Sequence, residues 1–214
     1  MSAALAPAAR ERPPIRTDLA LIAEMIAPQS RVLDVGCGDG ALLDYLWHVK
    51  GVDGRGLELR QERVRACVAH GLSVIQGDAE TDLRDYPSEA FDYVVLGQTL
   101  QAMRNPREVL LQLARIGGRT IVSILNYGSW RIRWRLLTSG FMPVQDAPHR
   151  HWYDTDNIHP CTLRDFVRLC DELGLRIERG LLLHRKGAPR ELDTPGWYAN
   201  MFGEQGIFLL TRGR

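Results

Sequence analysis

From Ile15 onward, hydrophobic positions recur with two alternating periods. Leu19, Ile22 and Ile26 are spaced as on one helix face, and Pro28 closes that helix. Arg31 to Val35 is a short β-rich run cut by Gly36, Gly38 and Gly40, after which Leu42, Leu43 and Leu46 restore a helical period. The alternation then repeats. Val52 to Leu57 reads as a strand ending at Glu58, Val64, Cys67 and Val68 as a helix stopped at Gly71, and Leu72 to Gln76 as a third strand ending at Gly77-Asp78. Phe91 to Leu96 makes a fourth strand and Arg119 to Leu125 a fifth. Between them lies a helix from Pro106 to Arg115, whose proline suits a first turn that needs no N–H there. Strands alternating with helices at this spacing predict an α/β fold with a doubly wound, mostly parallel sheet.

After Asn126 the rhythm breaks. Ser129 to Thr138 reads as a helix rich in Arg and Trp, and Phe141 to Cys161 as a loop dense in Pro, His and aromatic residues. Thr162 is placed to cap a helix running to Leu173. Two apolar runs, Leu175 to His184 and Gly206 to Thr211, are expected to close the sheet as an antiparallel pair, for seven strands in all. Residues 15–214 are read as one domain, behind an Ala/Pro-rich leader from Met1 to Pro14 that is expected to be flexible.

Composition narrows the function classes. A chain of 214 residues with 45% hydrophobic and 25% charged residues is ordinary for a globular protein. Its 27 Lys+Arg against 26 Asp+Glu give no net charge that would favour nucleic acid or a membrane surface. No apolar run approaches the roughly 18 residues of a membrane span. The 4 Cys form no C-x-x-C, which argues against a zinc knuckle or a disulfide framework and fits reduced thiols and a cytoplasmic location.

The densest chemistry lies in Val32-Leu33-Asp34-Val35-Gly36-Cys37-Gly38-Asp39-Gly40. A strand running through glycines into a helix lets a ligand approach the backbone and meet free N–H groups. Gly36, Gly38 and Ala41 also satisfy the dinucleotide fingerprint taken literally. Asp34 argues otherwise, because a carboxylate two residues before the first glycine does nothing for a pyrophosphate. It suits a ligand with an ammonium group, such as the amino-acid end of S-adenosylmethionine. Glu58, at the second strand end, can accept bonds from two ribose hydroxyls, and Asp78, after the third, can meet an adenine amino group. The candidate cofactor-binding residues are therefore Asp34, Gly36, Cys37, Gly38, Gly40, Glu58, Asp78 and Gln98, converging where open α/β sheets bind ligands. Each has a plainer reading too, since glycine runs make tight turns and strand-end acids cap helices.

Arg16-Thr17-Asp18-Leu19, Gly97-Gln98-Thr99-Leu100-Gln101 and Trp152-Tyr153-Asp154-Thr155 carry a closer resemblance, to the MetW family of methionine biosynthesis proteins. Met142-Pro143, Asn157-Ile158-His159 and Asp165-Phe166 extend it, so that it runs from about Arg16 to Leu182, with an echo at Asn200 and Ile207 to Leu210. Two places depart from the family pattern: Leu125-Asn126-Tyr127 where Pro-Asn-Phe is expected, and Thr155-Asp156-Asn157 where Thr-Pro-Asn is. The resemblance implies a methyltransferase-like protein that supports a MetX-type homoserine O-acyltransferase in forming acylhomoserine. The alternative is an active S-adenosylmethionine-dependent methyltransferase acting on a small molecule.

Gln98, Thr99 and Gln101 can orient a ligand but are poor bases. His159 is the catalytic candidate, because the segment before the helix at Thr162 folds over the pocket in related enzymes; His149 and His151 are alternatives. The irregular spacing of His149, His151, Asp154, Asp156 and His159 does not make a metal site. No G-x-S-x-G elbow or Walker loop occurs. Trp130 and Trp134, four residues apart on a helix carrying Arg131, Arg133 and Arg135, read better as a protein interface than as a nucleic-acid contact, with core packing a close alternative for Trp134.

Overall fold

The computed structural model describes residues 15–144, 151–184, 188–192 and 196–213. The expected leader and His149 lie outside the described residues. The chain opens with α1 (Thr17–Glu24), β1 (Arg31–Val35), α2 (Ala41–Lys50), β2 (Asp53–Glu58), α3 (Gln61–Ala69), β3 (Val74–Gln76) and a one-turn helix α4 (Ala79–Asp82). It continues through β4 (Phe91–Gly97), α5 (Pro106–Ile116), β5 (Gly117–Leu125), α6 (Trp130–Ser139), α7 (Leu163–Glu172), β6 (Leu175–Leu183), β7 (Arg190–Glu191), α8 (Trp197–Phe202) and β8 (Gln205–Arg212).

The strands form one sheet in the order β3-β2-β1-β4-β5-β8-β6-β7. β1 to β5 are parallel; β8 runs antiparallel between β5 and β6. The expected closing pair is therefore present as β6 and β8. The expected count of seven is corrected to eight, because Leu181 and Leu182 also pair with the two-residue strand β7. So short a strand, Arg190 and Glu191, carries no hydrophobic period and leaves no mark in the pattern.

Local chemistry explains the elements around the site. β1 is buried from Val32 to Val35, as a central strand covered on both faces must be. α5 starts on Asn105, whose side chain accepts the Glu108 N–H, with Pro106 in the first turn, and it buries Val109, Leu110, Leu113 and Ile116 against the sheet. α7 starts on a capping box in which Thr162 and Asp165 each satisfy the other's backbone N–H. One core cluster joins β1, β4, β5, α5, α7 and β8; a second joins α1, α2 and the opposite sheet face. The chain order reverses at β1, flanked by β2 and β4, so the loop leaving β1 opens into a crevice at the sheet's carboxyl edge.

Candidate ligand site at the sheet switch point

That crevice is a cavity of about 710 Å³, a size that holds a nucleoside-like ligand. Of the eight expected cofactor residues, Asp34, Gly36, Cys37, Gly38, Glu58, Asp78 and Gln98 line it. Gly40 does not. A Cβ on Gly40 would stand 2.4 Å from Leu72 and 3.0 Å from Cys67, so that glycine, at φ +78°, is needed to seat the loop on α3. Gly38 is the contrast. It too has positive φ (+62°), but a Cβ there would meet nothing nearer than Arg63 at 4.0 Å and would project into open space.

Asp34 is only 4% exposed, and what is exposed faces the cavity. Burial, and then the nearby charges of Glu58 and Asp39, push its carboxyl up to about 7. Among the described residues no cation lies close enough to relieve it. Glu58 is equally buried, but its oxygens accept the backbone N–H groups of Gly38 (2.9 Å) and Arg60 (2.9 Å), with Arg63 4.0 Å away. Each of these oxygens keeps a further lone pair. Asp78 caps α4 through the Glu80 N–H (2.9 Å), so the plain helix-cap reading holds for it alongside a place in the cavity wall.

Across the cavity, a group unforeseen as a site closes the wall. Arg16 grips Asp18 with two donors, and Gln98 donates to the same carboxylate at 3.0 Å. Burial works to raise the Asp18 carboxyl, but the Arg16 bond and charge outweigh it and hold it below the usual carboxylate range. Gln98 sits at φ +55° and is held there because its N–H bonds to Ser123. Arg16 lines the cavity with its side chain mostly exposed. The Arg-x-Asp spacing at the start of α1 is local, whereas its link to the strand ends joins residues 80 apart.

Other expectations are corrected by position. Gln101 does not orient a ligand: its side-chain amide is buried and pairs with both backbone groups of Leu125, at 2.9 and 3.0 Å. His159 stands outside the wall; its N–H bonds to the Gln101 carbonyl and its ring lies 3.3 Å from the Arg104 carbonyl. His151 is exposed and stacks on Tyr153. Residues 155 to 158 of the same segment do reach the wall, and Arg60 pairs with Asp156 at 3.5 Å. Among the described residues no group of three or more His, Cys, Asp or Glu side chains is placed to hold a metal ion, and no helix is long and apolar enough to cross a membrane.

Comparison with known proteins agrees with this geometry. The fold is that of S-adenosylmethionine-dependent methyltransferases: a Thermotoga maritima structure described as a possible histamine N-methyltransferase superposes with a TM-score of 0.66 at 17% identity, over 92% of this chain and 88% of that one. An Archaeoglobus fulgidus S-adenosylmethionine-dependent methyltransferase gives 0.62 at 16% identity, over 91% and 94%. In sequence, the chain is 32% identical over 173 residues to the bifunctional methionine biosynthesis protein MetXA/MetW of Rhodopirellula baltica, covering 77% of this chain and 28% of that protein. It is 27% identical over 164 residues to the ubiquinone biosynthesis O-methyltransferase of Proteus mirabilis, covering 72% and 64%. The chain thus spans less than two thirds of the length of either curated relative. The family model for the methionine biosynthesis protein MetW matches residues 16–210, and the chain belongs to that family.

Proposed function

We propose that the cavity binds S-adenosylmethionine or its demethylated product, and that the chain serves methionine biosynthesis by supporting a MetX-type homoserine O-acyltransferase. The observation that carries the ligand reading is Asp34: a carboxylate facing a cavity, raised by burial and then by its acidic neighbours, with no cation beside it among the described residues. The ligand's ammonium would supply that cation, and Arg16 on the same wall would take its carboxylate. Glu58 would accept the ribose hydroxyls on its remaining lone pairs, and Asp78 stands where an adenine amino group would lie. When bound, the cofactor's sulfonium offers an already activated methyl group, so methyl transfer itself asks mainly for alignment.

Among the described residues the wall holds no His, Lys or Tyr, and its thiol there, Cys37, is buried and pushed far up by burial. The wall's carboxyl raised to about 7, Asp34, is the group the ligand's ammonium would occupy, which leaves it to bind the ligand rather than to deprotonate an acceptor. That favours the supporting role over independent methyltransferase activity. The partner reading draws on the Rhodopirellula baltica relative, whose name joins MetXA and MetW in one polypeptide.

Calorimetry with S-adenosylmethionine and its demethylated product is expected to show binding. At about 100 times the dissociation constant the ligand adds roughly 2.7 kcal/mol of stability, a rise of about 5–10 °C in Tm for a chain of this size. Gly38→Val should abolish both signals, since its side chain would project into the cavity. Absence of heat and of thermal shift with both compounds, or selective binding of a nicotinamide dinucleotide, defeats the ligand reading. For the partnership, homoserine acylation is measured with the acyltransferase alone and with the chain added, alongside co-elution. A partner that is fully active alone and never co-elutes refutes it. Stimulation that survives Gly38→Val would show that cofactor occupancy is no part of the support.

A further inference from the structure

We infer that the outer face of α6, with the aromatic loop beside it, is the surface on which the acyltransferase docks; this rests on the partnership proposed above. α6 is ten residues long and buries none of them. Among the described residues no other helix or strand packs along it beyond incidental contact. Its ties to the rest of the chain include an Arg133 bond to the Gly128 carbonyl (2.7 Å) and an Arg131–Glu204 ion pair (3.4 Å). A helix this short is marginal in water, and helices in proteins draw most of their stability from a packed apolar face. Yet α6 spends Trp130, Trp134, Leu136 and Leu137 on solvent, with Trp134 61% and Leu137 79% exposed.

The apolar surface does not stop at the helix. Phe141, Met142, Trp152 and Tyr153 are exposed as well, and Tyr127, Met142, Trp152 and Ile158 share a second cavity of about 460 Å³, to which the chain just before and just after α6 contributes. Apolar surface gathered this densely marks an interaction site. The residue types are those that anchor interfaces, since Trp and Arg lead among hot spots. Arg131 lies over the Trp130 ring, 5.3 Å from its centroid.

Two observations select the occupant. α6 carries Arg131, Arg133 and Arg135 and no acidic residue; with Arg131 tied to Glu204 and Arg133 to Gly128, Arg135 leads the basic rim, so its complement is an apolar surface bearing carboxylates, and a second copy of α6 would oppose arginine to arginine. The Rhodopirellula baltica relative tethers a MetXA to a MetW, which holds those two surfaces at high local concentration.

The test uses the full chain and purified acyltransferase, with affinity measured by calorimetry and folding by thermal melts. Trp134→Glu and Leu137→Glu should each weaken binding by about 30-fold or more, as truncating a hot spot does, with melting unchanged because both side chains are exposed. Trp47→Glu, on the exposed side of α2, is the control and should stay within about twofold, as a position outside the docking face. Wild-type binding that both α6 variants retain overturns the docking face and leaves the partnership standing. No wild-type binding overturns the partnership itself, and this inference with it. Self-association that Trp134→Glu abolishes while acyltransferase binding persists assigns the face to a second copy instead, and tight binding by a chain lacking residues 1–14 together with loss in the α6 variants excludes that segment as the occupant.

Discussion

Replacing Asp34 with asparagine should make the free protein more stable above neutral pH and, in the same molecule, remove its affinity for S-adenosylmethionine. The first half follows from the raised carboxyl. An ordinary aspartate titrates near 3.8, whereas burial beside Glu58 and Asp39 brings Asp34 to about 7. The native state therefore holds this proton more tightly than the unfolded chain does. Stability from this group is fully present below the unfolded value and is lost as pH rises from about 4 to about 7, beyond which the native state carries the full cost of an ionised buried carboxylate. A difference of about three units caps that cost at about 4 kcal/mol, and relaxation lowers it, so the asparagine variant should gain about 1–3 kcal/mol at about pH 8 and little at about pH 4.

The second half has the same cause. An ammonium brought against an ionised Asp34 supplies the counter-charge that offsets its burial and the repulsion from Glu58 and Asp39. Asparagine has no charge to offer, and affinity should fall by about 100-fold or more, given the strength of charge-assisted bonds in a water-poor site. In the wild type, binding a cation lowers the Asp34 pKa and releases a proton. Affinity should climb about tenfold per pH unit below about 7 and level off above it. Melts of both proteins across that range, with calorimetry in buffers of different ionisation enthalpy, check all three points. A variant that is less stable at high pH, or that binds as well as the wild type, would show that Asp34 is a structural acid and not the ligand's counter-charge.

Asn126→Ala should be the most damaging single substitution away from the ligand site. Asn126 is fully buried, at the end of β5. Its amide donates to the carbonyls of Asn200 (2.9 Å) and Gly203 (2.7 Å), and its oxygen accepts the N–H groups of Gly128 (2.9 Å) and Leu163 (3.3 Å). One side chain thus ties the start of α7, the end of α8 and the entry to α6 to the edge of the parallel sheet. Alanine leaves two carbonyls and two N–H groups without that partner, which costs about 3–5 kcal/mol when each unsatisfied buried group costs about 1–3 and some find water. Tm should drop by roughly 10 °C, and amide exchange should speed up first at α7 and α8. Asn126→Asp should not rescue, because it keeps the acceptor, loses both donors and buries a charge. A fall in stability below about 1 kcal/mol for the alanine variant would mean these bonds are readily replaced.

The parallel half of this protein was readable because its signals are local. β1 runs into Gly36, α2 resumes at Ala41, and the switch from a two-residue to a 3.6-residue period shows within a dozen positions. Strand ends in such a fold face one edge, so Asp34, Glu58 and Asp78 could be placed together before any coordinates. The capping box of α7 is likewise a matter of four consecutive residues. Local pattern also put Trp130 and Trp134 on one helix side, but it cannot say whether anything covers that side, and the sheet leaves it bare.

What the tertiary structure decided are contacts between residues far apart in the chain, for which no period exists. Arg16 enters the ligand wall where Gln98 bonds to Asp18, and Gly40 lies outside it, against Cys67 of α3 and Leu72 beyond that helix. His159 stays outside the wall, its backbone bonded to Gln101 and its ring to the Arg104 carbonyl, and Gln101 itself is used up by Leu125. A histidine or glutamine in a loop has the same chemistry on either side of the chain; only packing selects the side. Asn126 makes the point most directly, since its position after β5 marks where the alternation fails, while the four groups it satisfies lie up to 77 residues away. The sequence alone determines the five parallel strands with their closing antiparallel pair, the acidic strand ends and the capped helices, because these are settled by backbone geometry and neighbouring side chains. Which polar groups face the cavity, and which disappear into the frame that holds it open, is decided by long-range hydrogen bonding, where each buried donor must find an acceptor that the fold alone brings near.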